Sequence, residues 1–134
     1  MATLKHQLLA LLHFQPLWRL ALLLSVIAIG FLATTSSDYP IPSAPSDKVN
    51  HLIAFFELTI VARLAWPQLR SIWYAPALLG FGLCIEAVQA SLPYRDFSMA
   101  DLAADGAGIL IGALPWPGIR KTSKRDLRDS PESV

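Results

Sequence analysis

The sequence predicts an all-α integral membrane protein, an antiparallel four-helix bundle with both termini in the cytoplasm. Three observations point there. First, 54% of the 134 residues are apolar and only 16% are charged, where a soluble domain carries about 25% charged residues. Second, no Asp, Glu, Lys or Arg occurs from Leu20 to Ser37, and the run LALLLSVIAIGFLA is apolar on every helical face. A soluble helix would keep a polar stripe. Third, lysine and arginine divide unevenly between alternate connections, which is how short loops of membrane proteins record orientation. Composition also excludes several classes. Intrinsic disorder needs low hydrophobicity and high net charge, and a net charge of +1 suits no basic nucleic-acid binder. One cysteine, Cys84, allows neither an internal disulfide nor a cysteine-based zinc site, and it reads as a small core residue. No internal repeat is visible.

Residues 1–16 read as a cytoplasmic, interfacial lead. Leu4–Phe14 is leucine-rich with Lys5, His6 and His13, a composition suited to the membrane surface. The membrane domain is expected over 17–117. Its first span, begun at Pro16, is longer than a signal-peptide core and follows a long lead, so it is read as retained. Three more stretches of about 17–21 residues are long enough to cross: Val49–Trp66, Ile72–Leu92 and Met99–Trp116. Segments containing Pro40, Pro42 and Pro45, then Pro67, then Pro93 separate them. The remainder, 118–134, is a polar tail expected to be disordered, whose basic run touches anionic lipid.

Orientation follows from counting. Lys5, Arg19, Arg63, Arg70, Arg120, Lys121, Lys124, Arg125 and Arg128 fall on one side, against Lys48 and Arg95 on the other. Nine against two places both termini in the cytoplasm of a multi-pass protein. Trp18, Trp66, Trp73 and Trp116 fall at the cytoplasmic ends of the spans, with Tyr39 and Tyr94 at the outer ends, as interfacial anchors do.

Ionisable residues within spans are costly and are usually kept for function. With this topology Asp47, Lys48 and His51 open the second span at the outer face, Glu86 and Gln89 close the third there, Arg95 lies in the outer loop, and Asp101 and Asp105 open the fourth. These eight residues form the expected ligand-binding set, and His51, Glu86 and Asp105 are the candidates for any catalysis. Asp47 and His51 are spaced i,i+4, so they share a helix face. Asp101, Asp105, Gly108 and Gly112 run down one side of the last span, and Gly-x-x-x-Gly lets helix backbones approach closely. The carboxylate stripe is therefore also the packing face. Ser98 and Asp101 have capping-box spacing, Ser46 caps the second span, and Gln89 has a second role as helix glue. Glu57 lies mid-span on a different face from His51, with Asn50 as its expected hydrogen-bond partner. No HExxH or paired-His spacing and no nucleophilic Ser or Cys beside a base is present, so no metal and no cofactor are expected and the balance is against an enzyme.

Asp47-Lys-x-x-His51, Glu86-x-x-Gln89, Arg95 with Ser98, Asp101, Asp105 and Gly108-x-x-x-Gly112, in that order across Ser46–Leu114, resemble the VanZ-like family of small bacterial membrane proteins. Two departures are visible: the family more often has Asn at the position of Asp105, and Glu57 replaces a usually apolar residue. The resemblance implies a multi-span protein of the bacterial cytoplasmic membrane and cell envelope. The founding member is associated with low-level teicoplanin resistance, a role not carried over to this chain.

Three functions follow as expectations. An outward polar site would bind a lipid head group, a lipid-linked envelope precursor or an envelope protein, since Lys and Arg suit phosphate. A membrane-embedded hydrolase or acid–base enzyme would act on such a lipid-linked substrate. A structural or interaction protein would use the same residues as glue. Four spans are few for alternating access, although a homodimer would supply a missing half. Membrane lipids are the expected partners, and nucleic acid is not.

Overall fold

The computed structural model describes residues 2–35, 47–117 and 119. Among them it is all-helical, with five helices and no strand: α1 (Ala2–His13), α2 (Gln15–Thr34), α3 (Asp47–Ala65), α4 (Ser71–Ala90) and α5 (Met99–Gly112). The expected tail and the connection carrying Tyr39 and Ser46 lie outside the described residues, apart from Ile119. So does the side chain of Asp47.

Local signals account for the boundaries. Pro16 stands in the first turn of α2, where its missing N–H costs nothing, so α2 begins at Gln15, within one residue of the expected start of the first span. A short elbow separates it from α1, closed by the Trp18 indole N–H donating to the Leu11 carbonyl. Pro67 follows the end of α3, and Ser98 caps α5 by accepting from the Asp101 backbone N–H. The Asp101 carboxylate also sits in the first turn of α5, where the helix dipole favours negative charge. Helix α5 is shorter than expected, ending at Gly112 rather than at Trp116. Two helices, α2 and α4, are long and apolar enough to cross a membrane.

Helix α3 is the hub and touches α2, α4 and α5. Its contacts give the helix directions. The α3 start meets the α5 start at His51 and Asp105, and Arg63 near the α3 end meets Gly112 at the α5 end. Arg19 at the α2 start reaches Ala65 at the α3 end, while Gln89 near the α4 end reaches Ala33 near the α2 end. Thus α3 and α5 run one way, α2 and α4 the other. The α3–α5 seam is close because Gly108 and Gly112 leave no room for a side chain: a Cβ at either would press into Leu52 and Phe56 backbone or into Thr59.

The core is a cluster of Phe55, Leu58, Tyr74, Leu78, Ile85 and Ile109, flanked by Leu22, Val26, Ile29 and Ala33 from one face of α2. The other face of α2 is bare, with Leu24, Ile27 and Phe31 more than half exposed, as are Ile72, Trp73 and Leu110 elsewhere. No residue of α2 is buried. Soluble monomers rarely expose apolar surface on this scale, whereas lipid would cover it. Cys84 also belongs to the exposed surface, which corrects its expected place in the core.

Candidate functional site: an acidic cluster at one end of the helices

At the end where α3 and α5 begin and α4 finishes, three helices bring their ionisable residues together. His51 is the centre. Its Nδ1–H donates to Asp105 Oδ1 at 2.8 Å, since a carboxylate can only accept. That bond leaves Nε2 turned toward Glu86 Oε1, 4.0 Å away. The other Glu86 oxygen, Oε2, accepts the Ser98 backbone N–H at 2.8 Å. Ser98 holds Asp101 in turn through the α5 cap, and Lys48 Nζ stands 3.8 Å from Asp101 Oδ1.

Local structure explains why the set converges. His51 is one turn into α3, Asp105 is one turn below Asp101 on the inward stripe of α5, and the α4–α5 connection folds back so that Ser98 meets Glu86. Gly82 gives Asp105 its place, because a Cβ there would collide with Asp105 Oδ2 and crowd Phe55. Glu86 and Asp105 are wholly buried and Asp101 is partly so. Among the described residues, the buried side-chain atoms without a hydrogen-bond partner are Glu86 Oε1, Asp101 Oδ1 and Asp105 Oδ2. All three belong to this cluster. An unsatisfied buried polar group costs roughly 1–3 kcal/mol, so three in one place call for an explanation.

Of the residues expected from sequence, Lys48, His51, Glu86, Asp101 and Asp105 meet here. Gln89 is nearby but committed elsewhere, its amide donating to the Ala33 carbonyl at 2.9 Å; with the Tyr94 hydroxyl donating to Thr34, it anchors the end of α2. Arg95 is half-buried in the α4–α5 connection. Glu57 is bonded differently from expectation: Oε1 accepts from the Ser25 hydroxyl of α2 at 2.8 Å, and Asn50 is exposed. Glu57 also borders a largely apolar groove of about 380 Å³ with Phe56, Ile60, Val61 and Trp116, away from the acidic cluster.

Three contributions were not foreseen. Arg63, counted in the sequence only for orientation, is buried and donates through Nη1 to the Gly112 and Leu114 carbonyls at 2.7 and 2.6 Å. Arg19 reaches the Ala65 carbonyl and lies over the Trp66 ring. The Ser98 main-chain amide holds Glu86. The last turn of α5 has no basic residue of its own, a gap that hints at a donor from another helix.

The family model described as VanZ/LLP1 matches residues 2–120. This chain belongs to the VanZ/LLP1 family. The match extends the resemblance from the motif-bearing middle of the sequence to the whole described region, including α1. No curated protein and no solved structure matches the chain. In this VanZ/LLP1 protein the cluster combines an oriented imidazole, inward carboxylate oxygens without donors and one exposed ammonium. Such a set can bind donors or cations and can pass a proton between His51 and a neighbouring group.

Proposed function

We propose that this VanZ/LLP1 protein is a multi-pass protein of the bacterial cytoplasmic membrane. Helices α2–α5 form a four-span bundle, both chain ends face the cytoplasm, and the acidic cluster opens toward the outer leaflet. There it binds the polar head of a lipid or of a lipid-linked envelope precursor, engaging Asp47, Lys48, His51, Glu86, Gln89, Arg95, Asp101 and Asp105. One observation carries this reading: the five ionisable side chains that meet at one end of the helices retain three buried oxygens without hydrogen-bond partners. Purely structural networks inside proteins are usually completed, whereas a binding site leaves acceptors open for its ligand.

Family membership and the two apolar helices support the membrane setting. The charge bias supports the orientation, since nine of eleven Lys and Arg residues belong to segments that this topology assigns to the cytoplasmic side, and cytoplasmic segments carry that excess. The short α5 fits the same setting: 14 residues rise about 21 Å, and the Ser98 loop and the Trp116 turn complete the crossing. Lys48 and Arg95 supply cationic donors at the rim for phosphate, with the acids below orienting amine or hydroxyl groups. A second reading, acid–base chemistry on a lipid-linked substrate, is favoured by the His51–Asp105 pair, the arrangement that holds an imidazole in one tautomer during proton transfer.

Native mass spectrometry of gently purified wild type beside Lys48→Ala/Arg95→Ala tests the binding role. A discrete lipid or wall precursor retained by the wild type and lost from an equally folded double variant is expected. Bare protein in both would overturn it. Orientation is tested separately, in a Cys84→Ser background carrying Asp96→Cys: a membrane-impermeant maleimide should label that cysteine in intact spheroplasts, and protection until lysis would reverse the topology.

A further inference from the structure

We infer that the acidic cluster is a divalent transition-metal site, with His51 Nε2, Glu86 Oε1 and Asp101 Oδ1 as its protein ligands. One potential ligand atom each from His51, Glu86 and Asp101 lies within 4.8 Å of the others. Hydrogen bonding argues which atoms would serve as ligands. His51 Nδ1 is engaged by Asp105, which leaves Nε2. Glu86 Oε2 is engaged by Ser98, which leaves Oε1, fully buried and without a hydrogen-bond partner. Asp101 Oδ1 is likewise without one and has only the distant Lys48 ammonium.

Two features beyond proximity point to a metal. The first is the outer shell: metal-binding histidines almost always donate their second ring N–H to a carboxylate or carbonyl, which fixes the tautomer and raises ligand basicity. Asp105 has that position, and Gly82 makes the space that lets it stand there. The second is the spacing. Ligands about 2.1 Å from an ion lie at most about 4.2 Å apart, so the 4.0 Å separation of Nε2 and Oε1 already fits, and Asp101 closes the set with a shift of well under about 1 Å. Lys48 is 58% exposed, so its ammonium can swing away as the cation enters. One imidazole and two carboxylates suit Zn²⁺ or Mn²⁺ better than Ca²⁺, which takes six or more oxygens. The sequence conceals the set because its members come from three helices rather than from a paired motif. Three protein ligands leave coordination positions open, so the ion would also receive an anionic group of a bound head group. The inference shares its location with the proposed head-group site, and the test below separates the two.

Detergent-purified protein, stripped with EDTA and washed free of lipid, is titrated with ZnCl₂ and with MnCl₂, and bound metal is measured by inductively coupled plasma mass spectrometry. Wild type is expected to retain one equivalent of at least one metal. Glu86→Gln should retain at least tenfold less, Asp105→Asn should bind about 10-fold more weakly, and Glu57→Gln should match wild type. Equal uptake by wild type and Glu86→Gln, or none by wild type, would overturn the site. If Glu86→Gln does not fold, Co²⁺-loaded wild type carries the test. Visible absorption distinct from aqueous Co²⁺ and abolished by EDTA supports imidazole ligation, and the aqueous spectrum overturns it. Lipid retention without metal would remove the cation and leave the head-group reading standing; metal without lipid would do the reverse.

Discussion

The two ends of the helix assembly handle buried charge in opposite ways. At the arginine end, the buried Arg63 and the exposed Arg19 have well-defined partners. Arg63 caps the carbonyl end of α5 with two short bonds, where a helix dipole favours positive charge. Arg19 binds the Ala65 carbonyl, the Gln15 side chain and the Trp66 ring. At the acidic end three carboxylates meet one histidine and one lysine, and three buried oxygens remain without hydrogen bonds. Completed networks serve the fold, and incomplete ones are where a protein departs from its own stability optimum for function.

That contrast predicts different responses to substitution. The largest effect should come from the seam that holds both ends in register. Gly108→Leu drives a side chain into Leu52 and Phe56 backbone, which cannot retreat as a flexible side chain could, and the expected outcome is loss of the folded, monodisperse protein in detergent. Survival of a native melt would mean that the α3–α5 contact is looser than described. Next in size, Arg63→Ala leaves the Gly112 and Leu114 carbonyls without their charged donor and should destabilise by about 2–3 kcal/mol, read as a lower melting temperature with ligand retention preserved in the folded fraction.

Smaller changes sharpen the acidic end. Gly82→Ala pushes against Asp105 and should cost about 1–2 kcal/mol, while also loosening the His51–Asp105 bond; the shift of the His51 ring resonances in NMR reads the second effect. Smallest of all, Lys48→Ala should change stability by less than about 0.5 kcal/mol, as expected for an exposed cation at an ion pair of modest geometry, yet reduce retention of an anionic head group.

Much of this was legible in the sequence, for physical reasons that differ by residue. The helices follow from uninterrupted apolarity and from proline punctuation, so α2, α3 and α4 lie close to their expected ranges. The inward stripe Asp101, Asp105, Gly108, Gly112 is readable because helical periodicity makes it one face. His51, Glu86 and Asp105 could be expected to share a depth, but not a contact: their 2.8 and 4.0 Å separations depend on helix rotation and on Gly82, which no spacing rule encodes. Helical spacing points Glu57 to Asn50 within its own helix, whereas Ser25 of α2 reaches it. Arg63 looked like a loop charge because it stands at the end of an apolar run, and its role as a cap depends on where α5 stops. Cys84 looked like core because it is small and apolar, but in lipid the outer face of a helix is apolar as well.

The measurement closest to the central claim compares Glu86→Gln with Arg63→Ala, following thermal stability and ligand retention by native mass spectrometry on the same preparations. Glutamine keeps the shape of Glu86 and an acceptor for the Ser98 amide, so Glu86→Gln should stay within about 1 kcal/mol of wild-type stability and lose the ligand. Arg63→Ala should lose stability and keep the ligand in whatever remains folded. The contradicting result is Glu86→Gln losing stability as Arg63→Ala does while a folded remnant still holds the ligand, which would make the acidic end scaffold like the other.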